Sequence, residues 1–387
     1  MPVLRRQYRL NVVNAELFEE LSPPYVVVAN HSTFYDGFFL AGGIRGRIYM
    51  LVTDSVLHGA LGALIKRAGV VPMTKNLINV DSVRGMLSLV KRGKVIGIFP
   101  EGQTTWHGAS GPIYPAVGKL VKLLGVPLVS AIMKGGYHTE PKWSREKRDG
   151  SITVEYKLVA GAEEIAARTA AELTEMVQSA ITHDDFAYIH DNGLSFPSKR
   201  GAEYLERVLY HCPECDALAS LRSRDNTLRC GSCGAEWLWA GRGILHRQSD
   251  DRAANTAEPV TIREWTERQK AALDRILRTR LAEQDERPLY PPDEVIAWKG
   301  YRTARRTRLG KGLLCVTPEA YVFESPKHGR LVFPMSELSA CQVMEANQFE
   351  FYFGGNIYVF GFAHPATSGF KYINVLQIRN PDAAEVI

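Results

Sequence analysis

The chain has 387 residues, enough for two or three ordinary domains with full cores. Hydrophobic residues make up 45% and charged residues 23%, which excludes a disordered tail or a repeat array. Against 42 Asp and Glu stand 47 Lys and Arg, a net charge of +5 that is too mild to imply nucleic acid, and no such partner is expected. Apolar runs reach roughly eight residues, far short of the roughly twenty that cross a bilayer. The first residues, MPVLRRQYRLNVVNAELFEE, carry acids where a secretory signal would carry its apolar core. A cytoplasmic protein is expected.

In chain order, short apolar runs at residues 25–30, 47–52, 94–99, 127–133 and 152–159 predict strands. Helix-spaced apolar residues over 55–68, 80–92, 115–124 and 162–182 fall between or after them. This alternation predicts an α/β layered domain with a mostly parallel sheet over residues 1–198. Residues 199–247 are turn-rich and bear cysteines. An amphipathic helical linker is expected over 248–292, with Ile262, Trp265, Leu273, Ile276, Leu277 and Leu281 at near-helical spacing. Residues 293–387 carry many short β-type runs, at 295–298, 312–316, 320–323, 330–333, 348–353, 356–362 and 372–378. They predict a β-rich, barrel-like domain.

Chemistry concentrates at the ends of two predicted strands. Asn30-His31-Ser32-Thr33-Phe34-Tyr35-Asp36 follows the first run. An Asp five positions after a loop His can hold one ring nitrogen and leave the other free as a general base. The same spacing recurs in His211 with Asp216 and His246 with Asp251, but neither pair follows a predicted strand. The run 94–99 ends in Pro100-Glu101-Gly102-Gln103-Thr104-Thr105, placing an acid, a glycine and two hydroxyls where open α/β sheets bind ligands. Taken alone, that second cluster also reads as a turn with a helix N-cap.

Together the blocks resemble the glycerolipid acyltransferase family of the lysophosphatidate acyltransferase type. Four blocks stand in the family's order: Asn30 to Asp36 (NHxxxxD), Gly69-Val70-Val71-Pro72-Met73-Thr74-Lys75, Phe99-Pro100-Glu101-Gly102, and Gly125-Val126-Pro127. The resemblance spans residues 20–160. The chain departs from the family's pattern at three places. Lys75 stands where Arg is usual and lacks the bidentate fork for phosphate. Gln103-Thr104-Thr105 replaces Thr-Arg-Ser, and Ser130 replaces a second proline. The resemblance implies direct transfer from acyl-CoA or acyl carrier protein to the sn-2 hydroxyl of lysophosphatidate, as in phospholipid biosynthesis. His31 would act as base and Asp36 as its partner. Lys75, Glu101, Gly102, Thr104 and Thr105 would bind the acceptor. No Gly-x-Ser-x-Gly elbow offers a nucleophile instead. Another lysolipid or an amino-lipid acceptor is the alternative, as is a scaffold that binds lipid without turning it over.

Two appended features remain. Cys212-Pro-Glu-Cys215 and Cys230-Gly-Ser-Cys233 have the spacing of a zinc ribbon, with four thiolates and no open position, so a structural zinc is expected. A pair of redox dithiols is the chemical alternative. Lys299, Arg302, Arg305, Arg306, Arg308 and Lys311 crowd one early segment of the last domain, which loosely resembles a GRAM or pleckstrin-homology-like barrel. The cluster is either a solvated face or a dock for an anionic membrane surface. Peripheral attachment to the cytoplasmic membrane is the expectation that follows from the second reading.

Overall fold

The structure is a computed structural model that describes residues 2–53, 67, 69–73, 80–248, 258–301, 306–344 and 347–381. The chain divides into two compact units, 1–142 with 148–196, and 143–147 with 197–387.

The first unit holds a seven-stranded sheet of β1 (Asn11–Val13), β2 (Val26–Ala29), β3 (Ile48–Thr53), β4 (Val70–Met73), β5 (Val95–Ile98), β6 (Leu128–Lys134) and β7 (Thr153–Ala160). The strands lie in the order β1-β7-β6-β2-β5-β3-β4. Every pairing is parallel except β6 with β7. The central strand explains the unbroken apolar run, because β2 is buried on both faces. Val26 and Val28 join Ile96, Ile98 and Leu128 in one core. Val27 and Ala29 join Val95, Val129, Ala131 and Met133 in the other. Each buried valine contributes roughly 1.5–3 kcal/mol. Val28 pairs with Ile98, so β2 and β5 end side by side and the loops that follow them become neighbours.

Differences from the expected elements have local causes. The expected helix over 162–182 is two helices, Ala162–Ala167 and Ala170–Ile181. Thr169 interrupts it as an N-cap, accepting from the Glu172 amide while the Glu172 carboxylate accepts from the Thr169 amide. Strand β4, unforeseen, is an edge strand, where Pro72 is tolerated. The helix expected over 55–68 lies almost wholly outside the described residues.

The second unit carries two antiparallel sheets. The smaller runs through β8 (Leu221–Arg224), β9 (Thr227–Cys230), β10 (Glu236–Ala240), β11 (Ile244–Gln248) and β12 (Val260–Thr261) in the order β12-β11-β10-β9-β8. The helix Ile262–Ala282 follows, started by a capping box between Thr261 and Glu264. The larger sheet comprises β13 (Asp293–Gly300), β14 (Thr307–Val316), β15 (Ala320–Ser325), β16 (Gly329–Pro334), β17 (Ser339–Met344), β18 (Gln348–Phe353) and β19 (Asn356–Phe362). Its order is β16-β15-β14-β13-β19-β18-β17.

The strand expected at 372–378 is instead the helix Phe370–Arg379. Phe370 through Leu376 are all buried, so no polar face marks the helical period in the sequence. Three contacts fix it. The Ser368 hydroxyl accepts from the Lys371 amide at 3.1 Å, Lys371 Nζ pairs with Asp293 at 2.6 Å, and the Tyr372 hydroxyl donates to Asp293 at 2.7 Å.

Candidate active site

The loop leaving β2 is built around one buried carboxylate. Asp36 opens the short helix Asp36–Leu40 and is fully buried. Its Oδ2 accepts from the Thr33 amide at 2.9 Å, its Oδ1 from the Thr33 hydroxyl at 2.8 Å, and the Ser32 amide also donates to it. His31 Nδ1 lies 2.9 Å from Asp36 Oδ2. An anionic carboxylate here requires the proton on Nδ1, which leaves Nε2 as the basic nitrogen. The His31 side chain keeps 21% of its surface exposed and stacks on Phe99, ring centroids 4.3 Å apart. Asn30 ends β2 by imitating a strand: its amide donates to Met133 O at 2.9 Å and accepts from Met133 N at 2.7 Å.

The loop after β5 locks onto this one. Glu101 is buried, and both carboxylate oxygens meet backbone amides, Oε1 that of His31 at 2.9 Å and Oε2 that of Gly111 at 2.7 Å. Burial pushes its pKa up to about 8, against the pull of the two amide donors. Glu101 is therefore a brace for the His31 backbone. Thr105 joins in, its amide donating to His31 O at 2.9 Å and its hydroxyl to Ala109 O at 2.7 Å. Gly102 spends its amide on Phe99 O in a turn at φ +70°, where a Cβ would lie 2.4 Å from the Tyr114 ring. Thr104 is half-buried beside it. His31, Ser32, Glu101, Thr105, Ser110 and His183 line one cleft at the carboxyl ends of β2 and β5. Lys75 lies outside the described residues.

A dyad with an open basic nitrogen, braced by a carboxylate 70 positions away, is the geometry of a general base presented to a substrate. Comparison with known proteins shows what these residues resemble. Residues 9–134 match the family model described as Acyltransferase. Over these residues the chain is similar to that family. Over 130 residues the chain is 26% identical to a chloroplastic 1-acyl-sn-glycerol-3-phosphate acyltransferase of Brassica napus, BAT2, covering 33% of this chain and 38% of that protein. It is 25% identical over 130 residues to the chloroplastic LPAT1 of Arabidopsis thaliana, of the same name, covering 33% and 36%. The chain thus spans well under half the length of these relatives. Among solved structures, the 1-acyl-sn-glycerophosphate (LPA) acyltransferase PlsC of Thermotoga maritima aligns with a TM-score of 0.40 and 18% identity, over 49% of this chain and 74% of that one.

In this acyltransferase-like region the parts that sequence reasoning missed are those that hold the dyad: Ser32 and Thr33 on Asp36, Phe99 under His31, and Gly111 on Glu101. All but Gly111 sit inside the motif blocks, so position was the available signal. The other two His–Asp spacings differ in kind. His211 Nε2 does lie 2.9 Å from Asp216, but that carboxylate is largely exposed and belongs to a cysteine knuckle. Asp251 lies outside the described residues.

In the second unit Cys212, Cys215, Cys230 and Cys233 come together with ligand atoms within 4.8 Å of one another. Cys212 Sγ is 3.8 Å from Cys233 Sγ, and Cys215 Sγ is 3.8 Å from Cys230 Sγ. Thiolates about 2.3 Å from a tetrahedral zinc stand about 3.8 Å apart, so the donor set fits that ion. The Ser232 amide turns toward Cys230 Sγ at 3.4 Å, as expected around a thiolate. Gln269 and Trp265 of the helix Ile262–Ala282 clamp the entry to this knuckle, bonding Val208 O, Tyr210 N and His211 O.

Proposed function

We propose that this protein is a 1-acylglycerol-3-phosphate O-acyltransferase of phospholipid biosynthesis. It would move an acyl chain from acyl-CoA or acyl carrier protein to the sn-2 hydroxyl of lysophosphatidate. The observation that carries the reading is the His31–Asp36 dyad facing a cleft within residues that match the acyltransferase family. His31 Nε2 takes the proton of the acceptor hydroxyl as its oxygen attacks the thioester carbonyl. The developing imidazolium is held by Asp36, itself buried under several donors, so no reorganisation is needed during the step. Glu101 fixes the His31 backbone, and Lys75 is assigned the acceptor phosphate from its place in the second block.

The four cysteines would hold one zinc in a closed, structural site within the second unit. Among the described residues no helix is long and apolar enough to cross a membrane. Its acceptor carries a lipid tail, so the protein, on this reading a cytoplasmic one, works at an anionic membrane surface through its basic C-terminal segment. The test is thioester consumption by purified protein against a panel of lysolipids and an amino-lipid, with both donors. Lysophosphatidate is the expected acceptor, and His31→Ala is expected to remove about 10²–10⁴ of the rate. Near-normal turnover by His31→Ala would sink the assignment. A strong preference for another head group would move it to that lysolipid.

A further inference from the structure

The cleft holds a second histidine–carboxylate pair that none of the sequence blocks contains. His183 Nε2 lies 2.7 Å from Asp185 Oδ1. Asp185 is fully buried and already satisfied by backbone, accepting from Gly135 N at 2.8 Å and Tyr137 N at 2.9 Å. Burial raises its pKa, but the bond to His183, the charges of His183 and His138 and the Gly135 amide outweigh it and leave the carboxyl below its usual range. Asp185, fixed in place by the two backbone amides, orients the His183 ring. An anionic Asp185 places the proton on Nε2 and leaves Nδ1 as the ring nitrogen turned away from that bond. His183 lines the same cleft as His31 and Glu101. Its backbone is tied to the wall of that cleft: Ser110 N donates to His183 O at 2.8 Å, and His183 N to Ser110 Oγ at 3.0 Å. The residue before Ser110 in that wall, Ala109, bridges Asp184, and Gly108 O accepts from Asp185 N at 2.9 Å.

Two dyads facing one cleft match the two proton transfers that thioester alcoholysis requires. One proton leaves the acceptor oxygen and one must reach the departing sulfur. We propose that His183, as an imidazolium held by Asp185, is the general acid that protonates the leaving thiolate from Nδ1, while His31 is the base. This deepens the acyltransferase reading and rests on it. The acceptor O–H bond breaks toward His31 Nε2 and the new C–O bond forms. The C–S bond then breaks with its electron pair on sulfur, which takes the His183 Nδ1 proton. The products are ester and thiol, with His31 protonated and His183 neutral, and exchange with solvent restores both rings.

The experiment compares two donors of one acyl chain, an acyl-pantetheine and a thioester of an aryl thiol. The aryl thiol is acidic enough to leave without a proton. His183→Gln can keep a side-chain N–H toward Asp185, so its melting temperature is measured first. The variant is expected to lose about 10²-fold with the alkyl thioester, as for a positioned acid, and less than about threefold with the aryl one. Equal losses on both donors, the result of a purely positioning role, overturn the proposal, as does no loss. If the variant does not fold, the wild type decides: a shallow dependence of rate on thiol acidity supports acid assistance, and a steep one refutes it. His31→Ala should fail with both donors. A wild type that consumes neither donor overturns the acyltransferase reading itself.

Discussion

Asp36 and Glu101 are both buried carboxylates, yet their surroundings give them opposite tasks. Asp36 gathers His31 Nδ1, two amides and two hydroxyls, and its charge is available to an imidazolium forming on His31. Asp36→Asn presents an NH₂ to groups that are donors, and turns the His31 ring toward the wrong tautomer. We expect a loss of turnover of about 10²–10⁴ with the fold intact, checked by kinetics beside a melting curve. Glu101 is different because burial has raised its pKa to about 8 from an unfolded value near 4.5. Its stabilising contribution is complete below pH 4.5 and is lost as pH rises through 8. Glu101→Gln cannot accept from both amides and should cost roughly 1–3 kcal/mol. The gap in melting temperature between the two proteins should narrow from pH 5 to pH 9. A gap that widens instead would mean that Glu101 is held ionised by its two amides.

At the scale of elements, the cysteine knuckles and the helix Ile262–Ala282 form one folding problem. Trp265 stacks edge-on to Trp237 with ring centroids 4.8 Å apart, and Trp265 Nε1 bonds the His211 carbonyl beside Cys212. Loss of zinc should therefore register in tryptophan fluorescence. We expect one zinc per chain by metal analysis. A chelator should reach the exposed Cys215 and Cys233 and change that fluorescence before any loss of acyl transfer. Protein purified without chelator and free of zinc, or disulfides within each CxxC pair, would refute the site. The Thr169–Glu172 capping box was equally legible as Thr-Ala-Ala-Glu in the sequence, but the apolar spacing ran across it and hid the break. The helix Phe370–Arg379 was not legible, since burial on all sides erases the polar stripe by which a helix is recognised.

For the whole molecule, the question raised by the proposed function is how a chain with no spanning helix among its described residues would meet a lipid acceptor. Arg308 and Lys311 are exposed on β14, and a bulge opposite Ala297 and Trp298 brings both to the outward face. Lys299 is half-buried, its ammonium 5.6 Å from the Tyr358 ring centroid. Arg306 is not available in the same way, because it pairs at 3.5 Å with the buried Glu350. Replacing Arg306 would remove that ion pair from a buried carboxylate, so it is excluded from the test. Exchange of Arg302, Arg305, Arg308 and Lys311 for Gln should weaken co-sedimentation with anionic vesicles, since each cation contributes about 1 kcal/mol near such a surface. Wild-type binding should fall as salt rises. Unchanged binding in the variant would remove this segment from membrane attachment and leave the His31 chemistry untouched.

Local chemistry was readable from the chain alone. The apolar run into Asn30, the His31–Asp36 interval and the Cys212-x-x-Cys215 spacing are short-range patterns, set by side-chain types a few residues apart. The layered α/β fold followed from alternation for the same reason. Long-range pairing was not readable. That β2 and β5 lie side by side, that Glu101 braces His31 across 70 residues, that His183 and Asp185 enter the same cleft, and that Glu350 claims Arg306 all depend on which distant segments are brought together. Those choices arise from burying two apolar faces of one sheet at once, a condition on the whole chain that no local window contains.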